Sequence, residues 1–122
     1  ETILVVEDEE LLLDLLQSLL ESKGYKVLTA KDGAEAVRQY AQHKEEIAVV
    51  LTDIGLPKLG GREVFFQLQA LNQNVKVILA SGFLEPKVKS EMFKAGAKEF
   101  IQKPYMPNEI LKKTREVIDT NG

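Results

Sequence analysis

The stretch VVLTDIGLP, residues 49–57, decides how the chain is read. Val49, Val50 and Leu51 follow Ile47 and Ala48 in one continuous apolar run that ends at Thr52 and Asp53. A strand with one wet face alternates apolar and polar residues. A run without alternation suits a strand covered on both faces, as in a parallel sheet sandwiched by helices. Gly55 and Pro57 then break the chain into a loop. A carboxylate at the end of a buried strand needs something to compensate it, so Asp53 is the first candidate for chemistry.

Working outward, strand-like and helix-like segments alternate five times. Thr2–Glu7 is a short β-branched run. Residues 9–24 follow, with Leu12, Leu15, Leu16, Leu19 and Leu20 at helical spacing and Gly24 as the stop. Tyr25–Ala30 reads as a second strand. Asp32 is an N-cap candidate, with Glu35 three residues on as a capping-box variant, and the helix carries Ala36, Val37, Tyr40 and Ala41. Ile47–Asp53 is the third strand and GLPKLGG a loop. Residues 62–71 form a helix with Val64, Leu68 and Leu71 on one face. Val75–Ser81 is the fourth strand; Pro86 opens the next helix and Gly96 ends it. Lys98–Lys103 is the fifth strand, and Pro107 opens a last helix bearing Ile110, Leu111, Val117 and Ile118. Five strand–helix repeats imply a five-stranded, doubly wound parallel sheet with five helices over its two faces.

In such sheets ligands bind beyond the carboxyl ends of the strands. Strand one ends in Glu7 and Asp8, strand three in Asp53, strand four in Ser81 and strand five in Lys103. If strands one and three are neighbours, three carboxylates share one cleft and raise one another's pKa values. A hard divalent cation removes that cost, and Mg²⁺ takes oxygen ligands while keeping several waters. Ser81 and Lys103 suit an anionic, phosphate-like ligand beside the metal. Taken singly, Asp53 reads as a turn residue, Glu7 and Asp8 as acids at a helix start, and Lys103 as a solvated lysine. Their convergence on one sheet edge favours a site.

Composition narrows the classes. The 122 residues fit one domain, here residues 1–122. A net charge of −3 and no basic stripe argue against direct nucleic-acid binding. There are no cysteines, so disulfides, thiolate metal sites and cysteine nucleophiles are excluded. No apolar run is long enough to span a membrane and no signal peptide is visible, which suits a cytoplasmic protein. His43, the only histidine, lies on the polar end of the second helix and reads as a surface residue. The leucine-rich first helix reads as core rather than as a partner-binding stripe.

The motifs LVVEDEE, LTDIGLP, ILASG and IQKP, in this order and at these strand ends, resemble the response-regulator receiver domain, the CheY-like family of two-component signalling. The resemblance covers essentially the whole chain and implies the flavodoxin-like strand order 2-1-3-4-5. It implies that Asp53 is the phosphoacceptor, attacking a phosphohistidine in line. Asp8 binds Mg²⁺ directly (Mn²⁺ could substitute), Glu7 reaches it through water, and the Gly55 carbonyl is a further ligand. Ser81 and Lys103 hold phosphoryl oxygens, and Phe100, with Ser81, forms the switch. A cis bond before Pro104 aims Lys103 into the cleft. The partners implied are a sensor histidine kinase or a histidine phosphotransfer domain. A homodimer through the fourth helix, fifth strand and fifth helix is also implied. Three positions depart from the usual pattern: Glu7 for Asp, Gly60 for Asp or Asn, and Ser81 for Thr.

Two rival readings stand beside this one. A haloacid-dehalogenase-type phosphatase also uses a strand-end Asp and Mg²⁺, but needs a second Asp where Gly55 stands. A pseudo-receiver, a pure interaction module, typically loses the acids or the lysine. The receiver reading makes the domain a phosphoacceptor rather than an enzyme. The absence of a Met before Glu1 reads as processing or as a piece of a larger protein, and the look of ILASGFLEP and KPYMPNEIL leans to the receiver of a hybrid histidine kinase.

Overall fold

The computed structural model describes residues 1–55 and 60–120. The elements are β1 (Thr2–Val6), α1 (Glu10–Glu21), β2 (Lys26–Ala30), α2 (Gly33–His43) and β3 (Ile47–Asp53). Then come α3 (Gly61–Leu71), β4 (Val77–Ser81), α4 (Pro86–Ala95), β5 (Glu99–Gln102) and α5 (Pro107–Ile118). The sheet is parallel throughout, in the order β2-β1-β3-β4-β5. The expected loop residues Leu56, Pro57, Lys58 and Leu59 lie outside the described residues.

Alternate residues of the buried strands feed two cores. Leu4, Val6, Val50, Val77 and Leu79 meet Tyr40, Val64, Phe65, Leu68 and Met92 from α2, α3 and α4. Ile3, Val5, Val49, Leu51 and Ile78 meet Leu13, Leu16, Leu20, Ile110 and Val117 from α1 and α5. A parallel strand with both faces covered has no solvent side, and hence no polar alternation. Full burial of each such aliphatic side chain contributes roughly 1.5–3 kcal/mol.

The packing corrects the first helix. Leu13, Leu16 and Leu20 are its buried residues, whereas Leu15, expected on the inner face, is 53% exposed and Leu11 84% exposed. Leucines occupy so many positions between 11 and 20 that the pattern permits several faces. Contact with the sheet selects one, and α1 is therefore not wholly core.

Local chemistry sets the ends. Asp32 Oδ1 accepts the Glu35 N–H at 2.8 Å, capping α2, while the Glu35 carboxylate reaches past the cap to the Lys31 N–H at 3.2 Å. Gly96 ends α4 with φ +123°, and a Cβ there would lie 2.8 Å from Gln69 Nε2, which itself donates to the Ala95 carbonyl. The backbone angle is what favours glycine here, since the Gln69 amide is the far end of a flexible side chain. β4 starts at Val77, two residues later than expected, because the Val75 N–H closes a turn onto Asn72. β1 and β5 also stop one residue short of the expected Glu7 and Lys103, releasing both side chains at the sheet edge.

Candidate functional site

The register brings the strand ends to one edge. Val6 lies opposite Ala30 and Thr52, Asp53 opposite Ala80, and Ser81 opposite Gln102. Glu7 and Asp8 leave β1 beside Asp53. Glu7, Asp8 and Asp53 each offer a carboxylate oxygen, and these oxygens lie within 4.8 Å of one another. Glu7 is fully buried and Asp53 nearly so, while Asp8 is exposed.

Lys103 compensates two of the three acids. Its ammonium is 2.9 Å from Glu7 Oε1 and 3.0 Å from Asp53 Oδ2. The Lys103–Pro104 peptide bond is cis. The second oxygen of each acid meets a backbone donor: Asp53 Oδ1 accepts the Gly55 N–H at 3.0 Å, and Glu7 Oε2 accepts the Glu9 N–H at 3.3 Å. Burial raises the Glu7 pKa above its ordinary value, against the Lys103 and Glu9 hydrogen bonds that favour its charged form. Burial pulls the Lys103 pKa down, but the hydrogen bonds it donates to Glu7 and Asp53, with their charges, outweigh it and the net shift is upward. A lysine shared with Glu7 thus balances the Asp53 carboxylate.

The donor set fits a hard cation. All the side-chain donors are carboxylate oxygens, and Asp8, exposed at the mouth, has solvent on its outer side. Such a set suits Mg²⁺, which prefers oxygen and keeps part of its water shell. Gly55 leaves room beside them, since a Cβ there would lie 3.7 Å from Asp53 Oδ1.

Two expected residues have partners other than the acids. The Ser81 hydroxyl donates to the Phe83 carbonyl at 2.6 Å and accepts the Phe83 N–H at 3.2 Å. It satisfies its own loop, as serines at turns commonly do. Phe100 is half-buried on β5, with the Lys89 ammonium 4.7 Å from its ring centre. Phe83, Leu84, Pro86, Lys89, Phe100 and Gln102 line a cavity of about 390 Å³ there. His43 pairs with Glu46 at the end of α2.

Sequence reasoning missed Tyr105. Its hydroxyl donates to Glu7 Oε1 at 3.1 Å, and its ring lies 5.5 Å from the Lys103 ammonium. Burial, followed by the charges of Glu7 and Asp53, raises its pKa, so the hydroxyl keeps its proton. The available signal was its place two residues after Lys103.

The sequence pattern of the family described as "Response regulator receiver domain" matches residues 3–115. The chain is 31% identical over 116 residues to the chemotaxis protein CheY of Thermotoga maritima, covering 94% of this chain and 95% of that one. It is 35% identical over 116 residues to the alkaline phosphatase synthesis transcriptional regulatory protein PhoP of Bacillus subtilis. That match takes in 95% of this chain and 48% of the relative, so the chain spans about half of PhoP. Among solved structures, the CheX-CheY-BeF3-Mg²⁺ complex from Borrelia burgdorferi is similar at a TM-score of 0.92 and 29% identity. The likeness covers 98% of this chain and 90% of that one.

Proposed function

Because the chain belongs to the response regulator receiver domain family of two-component systems, we propose that residues 1–122 form a domain that accepts a phosphoryl group on Asp53. The observation that carries the reading is the shared Lys103, held within 3.0 Å of both Glu7 and Asp53 at the sheet edge. The donor is the phosphohistidine of a sensor histidine kinase or of a histidine phosphotransfer domain. The rival phosphatase lacks its second acid at Gly55, and the pseudo-receiver reading sits poorly with an intact set of acids and lysine.

In the proposed reaction, Asp53 Oδ2 leaves its contact with Lys103 and attacks phosphorus in line. The new O–P bond forms as the N–P bond of phosphohistidine breaks, and the imidazole nitrogen keeps that electron pair and is protonated by solvent. Asp8 and Asp53, with the Gly55 carbonyl and with Glu7 through water, are the groups assigned to hold Mg²⁺ or Mn²⁺. The metal ion supplies charge compensation to the acids and to the phosphoryl oxygens in a loose transition state. Lys103 swings its ammonium onto a phosphoryl oxygen, exchanging one anionic partner for another. Glu7 stays in place, oriented by the Glu9 N–H. The domain is a signalling module rather than a turnover enzyme, and a cytoplasmic location belongs to the same reading. Among the described residues no helix is long and apolar enough to cross a membrane.

The test is incubation with acetyl phosphate, read by intact mass. One phosphoryl group per chain is expected with Mg²⁺ and none with a chelator in excess. Equal incorporation in both samples would exclude a metal-assisted acceptor.

The outgoing signal is assigned to Ser81 and Phe100. The phosphoryl group draws the Ser81 hydroxyl away from Phe83, and Phe100 turns into the space vacated. The surface of α4, β5 and α5 then recruits a partner or a second copy of the chain. Such a switch requires a ligand that binds one of two states more tightly. With beryllofluoride standing in for the phosphoryl group on Asp53, amide NMR shifts are expected at Ser81, at Phe100 and along residues 85–95, and are blunted by Ser81→Ala. Shifts confined to residues around Asp53 would leave a phosphate relay without this switch.

A further inference from the structure

Glu7 is a fully buried carboxylate whose side chain is one methylene longer than aspartate. Length brings freedom, since a glutamate has one more rotatable bond to hold still. Three groups hold it here. The Glu9 N–H takes Oε2 at 3.3 Å, while Oε1 receives both the Lys103 ammonium at 2.9 Å and the Tyr105 hydroxyl at 3.1 Å. Lys103 also serves Asp53, and in the proposed reaction it leaves Glu7 for a phosphoryl oxygen. At that moment Oε1 would lose its charged partner. Only Tyr105 remains on it among the side chains that the structure places there.

We infer that Tyr105 is a positioning residue: its hydroxyl fixes the Glu7 carboxylate in the orientation that metal binding uses, and keeps it there when Lys103 departs. The inference rests on the phosphoacceptor reading and deepens it. The geometry explains why a tyrosine serves. The hydroxyl reaches Glu7 from the loop before α5, across 98 residues of sequence. The ring faces the Lys103 ammonium, 5.5 Å from its centre, so one side chain adjoins both partners of the buried pair. Tyr105 remains a neutral donor, so it orients the acid without competing with a cation for it. The residue is not catalytic, because it acts through Glu7 and touches neither phosphorus nor Asp53 in the arrangement described.

The test separates hydroxyl from ring. Tyr105→Phe keeps the ring beside Lys103 and removes only the donor. Glu7→Asp keeps the charge and withdraws the carboxylate by one methylene, away from the hydroxyl. Mg²⁺ affinity is measured by titrating the metal alone against amide NMR shifts, in the native chain, the two single variants and the double variant. Tyr105→Phe is expected to weaken Mg²⁺ binding about three- to tenfold in the native background. In the Glu7→Asp background the same change should move affinity by less than about 1.5-fold. A double-mutant cycle of this kind isolates the coupling between two contacting groups. Thermal melts in chelator provide the control, with Tyr105→Phe expected to stay folded with an unchanged amide spectrum away from the site. Equal weakening in both backgrounds would overturn the inference, as would native affinity in Tyr105→Phe. If the native chain itself fails to bind Mg²⁺, the phosphoacceptor reading falls, and this inference with it.

Discussion

Asp53→Asn is expected to reduce phosphoryl incorporation from acetyl phosphate to background while leaving the fold in place. The substitution is nearly isosteric. Asn Oδ1 still accepts the Gly55 N–H that Asp53 Oδ1 takes at 3.0 Å, so the turn after β3 keeps its bond. What disappears is an anionic oxygen able to attack phosphorus, and an amide is far too weak a nucleophile to replace it. Lys103 loses one of two acceptors of equal quality but retains Glu7 at 2.9 Å. Intact mass with Mg²⁺ present reads the loss, and circular dichroism reads the fold. Full labelling of the Asn variant, or a label that maps to His43, would remove Asp53 from its role.

Replacing Lys103 by Met is expected to destabilise the metal-free domain by about 3 kcal/mol, because breaking a buried ion pair from one side leaves an uncompensated charge. Glu7 has no exposure to solvent and Asp53 only 6%. Without the ammonium, the two acids face each other with backbone N–H groups and the Tyr105 hydroxyl as their remaining donors. The pH dependence has a definite sign. Burial already raises the Glu7 pKa above its ordinary 4.5, and loss of the cation that favours its charged form raises it further. Between 4.5 and the raised value the folded state holds more protons than the unfolded one, so stability falls as pH rises through that window. The penalty is therefore expected to be larger at pH 8 than at pH 5. Mg²⁺ held by the acids as proposed would bind only the folded state, so adding it is expected to restore part of the lost stability at pH 8. Urea melts of the native and Met chains at both pH values, with and without Mg²⁺, measure all three effects. A variant as stable as the native chain at pH 8 would show that Lys103 does not carry the charge balance of this cleft.

The chain's own order of residues determined the strands, the helices and the edge on which the acids gather. Runs such as ILVV and IAVVLTD carry their meaning locally, because a strand buried on both faces has no polar alternation wherever it sits in the sheet. Asp32, Gly24, Gly96 and Pro107 punctuate the helices through backbone chemistry that involves only near neighbours. The same strand runs placed Glu7, Asp8, Asp53, Ser81 and Lys103 at their carboxyl ends, and the family motifs added the expected roles. Tertiary structure decided the rest. Seven leucines between residues 11 and 20 allow several inward faces for α1, and only packing on β1 and β2 selected Leu13, Leu16 and Leu20 while leaving Leu15 outside. The division of Lys103 between two acids and the placing of the Tyr105 hydroxyl on Glu7 follow no spacing rule. The Lys103 and Tyr105 contacts join side chains 50 and 98 residues apart. Such pairs meet only after sheet order and register have closed the loops between them, and local periodicity carries no information about that closure.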